Sequence, residues 1–417
     1  MATIEERIQA AVTALDIPGV VLVASEATGK FYYSNAIGAS SLRPGGEPLH
    51  LDSVMWLASS TKIMTSIAAL QCVERGQFTL DEDVTCLLPE LKDIEILKGF
   101  EPGTQKPILV KATKKITLRH LLSHTSGLAY DIFTPILQRW RKSRGEETHF
   151  TSGSLIYRCS VPLLFEPGEL WSYSPGLDWA GLMIERANHT TLEDYMQQHI
   201  WGPLSITNIS FRPSQRPGML SRLCEMSERQ GGINRFGTPL EPSTRVTASA
   251  ETVWDVDMPE DCGGAGAYGS LVGFQKILHA LAAGDERLLG AEMRDELFRP
   301  QLSDTAQAHF SQLRKFKELN DIYGVTRDDR VGHALGGVVM LEDMEGRRRK
   351  GTLSWQGMPN VYWWVDRAAG MSGVYGSQVI PTGDPKSLAL FWDFERAMYE
   401  KAEKAREETE SIDGGLE

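Results

Sequence analysis

The chain has 417 residues, more than one compact core usually needs, so a large domain with an inserted second lobe is expected. Its formal net charge of −12 argues against nucleic-acid binding, which needs a basic surface. Its five cysteines are widely spaced and odd in number, which favours neither a disulfide framework nor a Cys-x-x-Cys metal site. No stretch approaches the about 20 apolar residues of a membrane span, and residues 1–18 lack the apolar core of a secretory signal, so we expect a cytoplasmic enzyme.

The first part of the chain predicts a helix, a hairpin and a second helix. The helix spans Ala2–Leu15. Gly19–Ala24 and Lys30–Tyr33 are apolar, β-prone runs separated by a turn that contains glycine, which is typical of a hairpin. Thr61–Glu74 carries an apolar stripe at helical spacing, and Gly76 follows it where a helix would end.

Residues 79–246 show short helical patterns joined by loops rich in proline and glycine. The clearest helices are Leu118–Leu122, Ile136–Lys142, Leu177–Ala187 and Leu192–Ile200. The elements predicted after them are a helix at Leu271–Ala283, strands within His333–Leu341, Gly351–Trp355, Val361–Val365 and Gly370–Ile380, and a final helix at Pro385–Arg406.

This order predicts an α+β fold, in which an antiparallel sheet built from both ends of the chain is flanked by helices. Residues 1–78 and 247–417 would form the α/β lobe, and residues 79–246 a mostly helical lobe inserted into it. The only basic run, Arg347–Lys350, follows acidic residues between two apolar strands. We expect this run to be a solvated hairpin tip rather than a binding patch.

Ser59 and Lys62 are the first candidates for chemistry, in the tetrapeptide Ser-Ser-Thr-Lys at the start of the predicted helix. The i, i+3 spacing puts both side chains on one face, about 5–6 Å apart at Cβ. A lysine amine can remove the proton of a serine and so make it a nucleophile, and a helix N-terminus stabilises an oxyanion. The alternative is that Ser59 only caps the helix while Lys62 reaches solvent.

Five segments in the right order resemble the serine β-lactamase-like family, in its class C and esterase branch. They are Trp56–Lys62, Ala69–Gly76, His120–Leu128, Trp171–Gly181 and Trp355–Asn360. The similarity runs from about Ile17 to Phe394. The resemblance implies the two-lobed β-lactamase and transpeptidase fold.

The resemblance also implies the catalytic roles. Ser59 would be the acylated nucleophile, Lys62 its base, and Tyr173 a second base that passes protons between nucleophile and leaving group. The oxyanion hole would consist of the backbone N–H groups of Ser59 and Met358.

The resemblance implies substrate contacts as well, at Tyr130, Trp355, Gly357 and Trp363, with Trp363 as a wall of the acyl pocket. The alternative for the aromatic group Trp355, Tyr362, Trp363 and Trp364 is core packing, which we expect for at least two of the four. Two departures from the family pattern matter. Pro175 stands where relatives often have asparagine, and Trp355-Gln-Gly replaces the Lys-Thr-Gly strand. Because that lysine would hold a substrate carboxylate, its loss favours ester or thioester chemistry on neutral or hydrophobic substrates over β-lactam hydrolysis.

Three other patterns give weaker evidence for a functional site. His124 could form a Ser–His pair, but Lys62 and Tyr173 already offer bases. Gly263–Gly266 resembles a phosphate loop only superficially, and tight backbone packing beside the cleft is the better interpretation. His120 and His124 have a metal-like spacing without the Glu of a zincin motif, so no metal site is expected and no cofactor is implied.

The sequence therefore predicts an acyltransferase of specialised metabolism. It would move an acyl group from a small-molecule thioester, bound to a carrier protein or coenzyme A, through Ser59 to a small-molecule alcohol or amine. The alternative is a hydrolase with the same acyl-enzyme, in which water is the acceptor. A catalytically silent binding protein on this fold is a third hypothesis.

Overall fold

The computed structural model describes residues 2–149, 153–234, 237–241, 243–250 and 253–413. Its helices are α1 (Ile4–Thr13), α2 (Thr61–Glu74), α3 (Leu118–Leu122), α4 (Pro135–Ser143), α5 (Leu155–Cys159), α6 (Gly176–Asn188), α7 (Leu192–Met196), α8 (Leu271–Ala283), α9 (Ala291–Phe298), α10 (Asp304–Leu313), α11 (Lys317–Tyr323) and α12 (Pro385–Asp413). Within the described ranges, no helix is both long enough and apolar enough to cross a membrane.

The strands make one large sheet and several small ones. They are β1 (Gly19–Glu26), β2 (Tyr32–Gly38), β3 (Met55–Trp56), β4 (Glu95–Phe100), β5 (Pro107–Lys111), β6 (Ile209–Ser210), β7 (Ser227–Arg229), β8 (Val246–Ala248), β9 (Tyr268–Gly269), β10 (Val331–His333), β11 (Val338–Met340), β12 (Leu353–Gly357), β13 (Val361–Asp366), β14 (Met371–Gly376) and β15 (Val379–Ile380).

The large sheet is antiparallel and has the strand order β10-β11-β12-β13-β14-β1-β2. Its strands come from the two ends of the chain, which confirms the predicted fold class. Strand β1 is buried along its whole length because helices cover both faces. Val20 and Leu22 pack with α1 and α12, whereas Val21 and Val23 face the core that contains α2 and α8. This alternation is the two-residue period of a strand.

The aromatic strand β13 shows the same alternation. Tyr362 and Trp364 pack against Phe391 of α12 on one face. Trp363 points to the other face, where its ring lies 6.4 Å from that of Phe274 in α8. All three aromatic residues of β13 are 1% exposed or less, so this strand is a core element.

The middle of the chain contains the predicted helices and one hairpin that the pattern did not predict. That hairpin, β4–β5, lies in the segment that we expected to be mostly helical. The helix predicted at Leu192–Ile200 is α7 followed directly by a π-helical turn, Gln197–Trp201. Helices α9, α10 and α11 were also not predicted. The division into residues 1–78, 79–246 and 247–417 stays a prediction.

The expectation of a solvated tip at Arg347–Lys350 is wrong for its first two residues. Arg347 and Arg348 are 6% and 1% exposed, and their Nε atoms each donate to Glu395 of α12 at 2.6 Å. Burial raises the pKa of Glu395, but the two guanidinium groups outweigh it, so the pKa lies below its usual value. Glu395 lies in α12, far along the chain from the two arginines, so the local sequence around Arg347 and Arg348 could not predict this ion pair.

Replacing Glu395 by glutamine leaves two buried guanidinium groups without a counter-charge. We expect Glu395→Gln to lower the free energy of unfolding by about 3–5 kcal/mol, because an unpaired buried charge costs that much. Urea unfolding followed by circular dichroism measures it. Glu400→Gln, an exposed position on the same helix, is the matched control and should change stability by less than about 0.5 kcal/mol. Equal stability of the two variants would contradict the buried ion pair.

Candidate active site

Ser59 lies at the start of α2, beside the end of β12. It sits in a short 3₁₀ turn, Ala58–Ser60, which runs directly into α2. The preceding residue, Ala58, has a φ of 45°, a left-handed conformation that costs a non-glycine residue about 1–3 kcal/mol. Gly357 at the end of β12 packs against this turn, since a Cβ atom there would lie 2.2 Å from the carbonyl oxygen of Leu57.

Lys62 is buried beside Ser59, with 3% of its surface exposed. Its Nζ lies 3.2 Å from Ser59 Oγ and 3.3 Å from the hydroxyl of Tyr130. It also donates to the carbonyl oxygen of Gly264 at 2.6 Å. All three neighbours lie within hydrogen-bond distance, so the amine is held in place rather than reaching solvent as the alternative required.

Tyr173, which was predicted to be the second base, also contacts Ser59. Its hydroxyl donates to Ser59 Oγ at 2.6 Å, and Lys62 Nζ lies 4.8 Å from the centre of its ring. The ring packs against Trp355 of β12, with centroids 5.5 Å apart. The segment is fixed by Gly176, where a Cβ atom would lie 2.2 Å from the carbonyl oxygen of Leu121.

Tyr130, predicted to contact substrate, belongs to the same hydrogen-bonded group. Its hydroxyl is 3.3 Å from Lys62 Nζ and 3.3 Å from Asp178 Oδ2. Burial, and then the charges of Asp178, Tyr173 and Cys159, raise the pKa of Tyr130 well above its usual value. The phenol therefore keeps its proton at neutral pH and can donate a hydrogen bond to the carboxylate of Asp178.

Asp178 was not singled out by the motifs, and it contacts Gly264 in the glycine segment that was expected to pack closely beside the cleft. Asp178 in α6 is 5% exposed, and its Oδ1 accepts the N–H of Gly264 at 3.0 Å. The carbonyl oxygen of the neighbouring Gly263 accepts from Thr65 Oγ1 at 2.7 Å, so this glycine segment packs closely against α2. An aspartate five residues after Tyr173, in the otherwise apolar first half of α6, was a usable signal, because carboxylates are rarely buried without a partner.

Of the other residues predicted to contact substrate or to form the oxyanion hole, Trp355 and Met358 lie near the site and Trp363 does not. Trp355 touches Tyr173, and Met358 packs on an apolar cluster that includes Ala58, so both lie near the nucleophile. Trp363 does not: it is 0% exposed and is buried between β13 and α8. The prediction that Trp363 forms a wall of the acyl pocket is therefore at odds with its position on the core face of the sheet.

His124 does not act as the partner of Ser59. Its Nδ1 is 2.9 Å from Ser174 Oγ, and its backbone carbonyl accepts from the N–H of Ser172 at 2.9 Å. Burial, with smaller effects from His333 and Lys62, lowers the pKa of His124 well below its usual value, so the ring is neutral. It supports the segment that carries Tyr173. Among the described residues, no group of three or more His, Cys, Asp or Glu side chains could hold a metal ion.

This geometry defines a class of enzyme. A serine at a helix start, a buried lysine and a tyrosine within hydrogen-bond distance form an acyl-enzyme site that uses no histidine. A sequence model of the Beta-lactamase family matches residues 4–390, and the chain belongs to this family. The match confirms the family predicted from the motifs.

Two curated fungal relatives cover almost the whole chain. The chain is 35% identical over 402 residues to monacolin J acid methylbutanoyltransferase of Aspergillus terreus, covering 95% of this chain and 94% of that protein. It is 34% identical over 404 residues to lovastatin esterase of Penicillium rubens, covering 94% and 97%. These relatives support the acyltransferase function and favour an enzyme over the silent binding protein.

The fold comparison agrees. A solved structure of simvastatin synthase from Aspergillus terreus, a mutant form, superposes with a TM-score of 0.87 at 35% identity, covering 96% of this chain and 95% of that one. The chain is thus an enzyme of the Beta-lactamase family.

Tyr173→Phe tests the proton path because it removes only the hydroxyl that donates to Ser59. We expect the acylation rate with a p-nitrophenyl ester to fall about 100- to 10,000-fold, the range for loss of a general acid–base group. The burst of p-nitrophenol measures it. Tyr32→Phe, at a tyrosine that is 58% exposed, is the control and should keep the full rate. A Tyr173→Phe burst as fast as that of the control would remove Tyr173 from the mechanism.

Proposed function

We propose that the protein transfers a short acyl group from a thioester to a small-molecule alcohol or amine through an acyl-enzyme on Ser59. The observation that carries this proposal is the placement of Ser59 Oγ between Tyr173, at 2.6 Å, and Lys62, at 3.2 Å. A serine between two proton-exchanging groups can be activated on one side and can deliver a proton on the other.

In acylation, Ser59 Oγ attacks the thioester carbonyl carbon while its proton moves to Lys62. The carbon–sulfur bond then breaks, and the leaving thiolate takes the proton of Tyr173. Lys62 returns its proton to the Tyr173 oxygen, over whose ring it already lies. Deacylation reverses this path. Tyr173 gives its proton to Lys62 and takes the proton of the acceptor hydroxyl or amine as that group attacks the ester carbonyl, and Lys62 protonates the Ser59 oxygen as it leaves.

The oxyanion hole proposed from sequence is formed by the N–H groups of Ser59 and Met358. What supports it is the packing of Gly357 against the turn that carries Ser59, which leaves no room for a side chain between β12 and the nucleophile. The N-terminus of α2 adds positive potential at the same place. Two backbone donors fixed in this way would stabilise the negative charge of the tetrahedral intermediate.

The substrates are proposed to be neutral or hydrophobic. Trp355, which takes the place of the family's lysine, presents an aromatic ring beside Tyr173 instead of a cation. Tyr130 and Gly357 stay proposed substrate contacts. The Aspergillus relative is named as a methylbutanoyltransferase, so we propose an acyl group of similar size and an alcohol acceptor.

The donor is proposed to be a thioester of coenzyme A or of a carrier protein, and the enzyme to act in the cytoplasm. The five cysteines, all free thiols, support a reducing compartment. A hydrolase with the same acyl-enzyme is the second candidate, and the similarity to lovastatin esterase of Penicillium rubens favours it specifically.

The products formed from the acyl-enzyme distinguish the acyltransferase from the hydrolase. The protein is incubated with methylbutanoyl-coenzyme A or the matching N-acetylcysteamine thioester, with and without a panel of small alcohols, and the products are separated by liquid chromatography. We expect new esters to form at the expense of free acid, and Ser59→Ala to form neither. Free acid alone, whatever alcohol is added, would establish the hydrolase.

A further inference from the structure

The hydrogen bonds around Lys62 leave its amine few orientations. A carbonyl oxygen can only accept, so the 2.6 Å contact fixes one N–H of Lys62 on Gly264. The hydroxyl of Tyr130, at 3.3 Å, could be either donor or acceptor towards Lys62. Its second neighbour decides which of the two it is.

That second neighbour is Asp178. As a carboxylate it accepts only, so the O–H of Tyr130 points to Asp178 Oδ2 and the phenol oxygen faces Lys62 as an acceptor. The other oxygen of Asp178 accepts the N–H of Gly264, the same residue whose carbonyl holds Lys62. Asp178 therefore fixes both acceptors on which Lys62 donates.

To act as the base in the proposed acylation, Lys62 must be a neutral amine, which has two N–H groups and one lone pair. When both N–H groups are used on Gly264 and Tyr130, the lone pair is left for the remaining neighbour, Ser59, at 3.2 Å. We propose that Asp178 is a positioning residue that, through Tyr130 and Gly264, directs the lone pair of Lys62 at the hydroxyl of Ser59. This inference rests on the proposed acyl-enzyme function and deepens it.

The glycine at position 264 fits this role. A Cβ atom there would lie 2.5 Å from Asp178 Oδ2 and 2.9 Å from the Tyr130 hydroxyl, so any side chain would displace one of them. The lack of a side chain thus lets a backbone carbonyl, a phenol and a carboxylate meet around one amine. The glycine segment after Cys262 is explained by this close approach rather than by phosphate binding.

Asp178→Asn tests the proposal with a side chain of the same shape. The amide oxygen can still accept from Gly264, but the amide N–H group now donates to Tyr130. The phenol proton then turns to Lys62 and occupies the lone pair. We expect the acylation rate constant, measured from the p-nitrophenol burst, to fall about 10- to 100-fold. The ester concentration that gives half the maximal rate should change less than about twofold, because substrate binding is untouched.

Tyr130→Phe interrupts the same path without touching the buried carboxylate. We expect a similar fall in rate, and the double variant to be no slower than the slower single variant, because both changes remove one alignment. Asp194→Asn, an exposed aspartate in α7, is the matched control and should keep the full rate. Melting temperatures check that each variant is folded.

The outcomes are distinguishable. A full acylation rate in Asp178→Asn or in Tyr130→Phe would overturn the positioning role while leaving the acyl-enzyme intact. Effects that multiply in the double variant would also overturn it, because they would be independent. A wild-type protein without a burst that depends on Ser59 would overturn the proposed function and this inference together.

Discussion

The structure of the site depends on one buried amine. Lys62 is 3% exposed, and a buried polar group destabilises the fold unless its hydrogen bonds are satisfied. Its hydrogen-bond partners come from three separate segments: the helix start with Ser59, the loop with Tyr130, and the glycine segment at Gly264. Holding the amine therefore fixes how the helical middle of the chain meets the sheet. Catalysis and folding share this constraint, so the same contacts that bury Lys62 also aim it.

The aromatic side of the site adds shape without adding charge. Trp355 stacks on Tyr323 with an interplanar angle of 22°, and His333 packs edge-on against it. Burial lowers the pKa of His333 to about 3, and its Nδ1 is bonded to the carbonyl oxygen of Ala334 at 2.7 Å. The ring is neutral at the pH of the cell, as is that of His124. The basic side chain beside Tyr173 is thus Lys62, and Trp355 stands in the strand where the resemblance implies a lysine in relatives.

Local patterns predicted those elements whose stability is mainly local. The bounds of α2, α3 and α8 agree with their predicted bounds, since each has a regular apolar stripe or an N-cap residue such as Ser270 before α8. Two errors concern partners that are distant along the chain. Arg348 is buried because Glu395 reaches it across 47 residues, and Trp363 is buried because α8 covers that face of the sheet. A sequence window contains neither partner.

The same limit explains the site. The motifs predicted Ser59, Lys62 and Tyr173, and in the structure both Lys62 and Tyr173 lie within hydrogen-bond distance of Ser59. Asp178 lies within the tyrosine segment, but the motifs offered no reason to assign it a role, because that role depends on Gly264, 86 residues away. Glycine has no side chain, so its presence in a sequence does not by itself indicate a catalytic role. Its importance is that it has no Cβ atom, which only the packed structure reveals.

The choice between transfer and hydrolysis has to lie outside this catalytic set. The chain is about equally similar to a fungal acyltransferase and to a fungal esterase, at 35% and 34% identity. An acyl-enzyme on Ser59 serves both reactions, and the proton path through Lys62 and Tyr173 is the same whether the acceptor is water or an alcohol. What differs is how long the ester survives before an alcohol arrives, which the surrounding walls set by excluding water. Trp355 packs on Tyr173 with ring centroids 5.5 Å apart, so its side chain belongs to these surroundings rather than to the proton path.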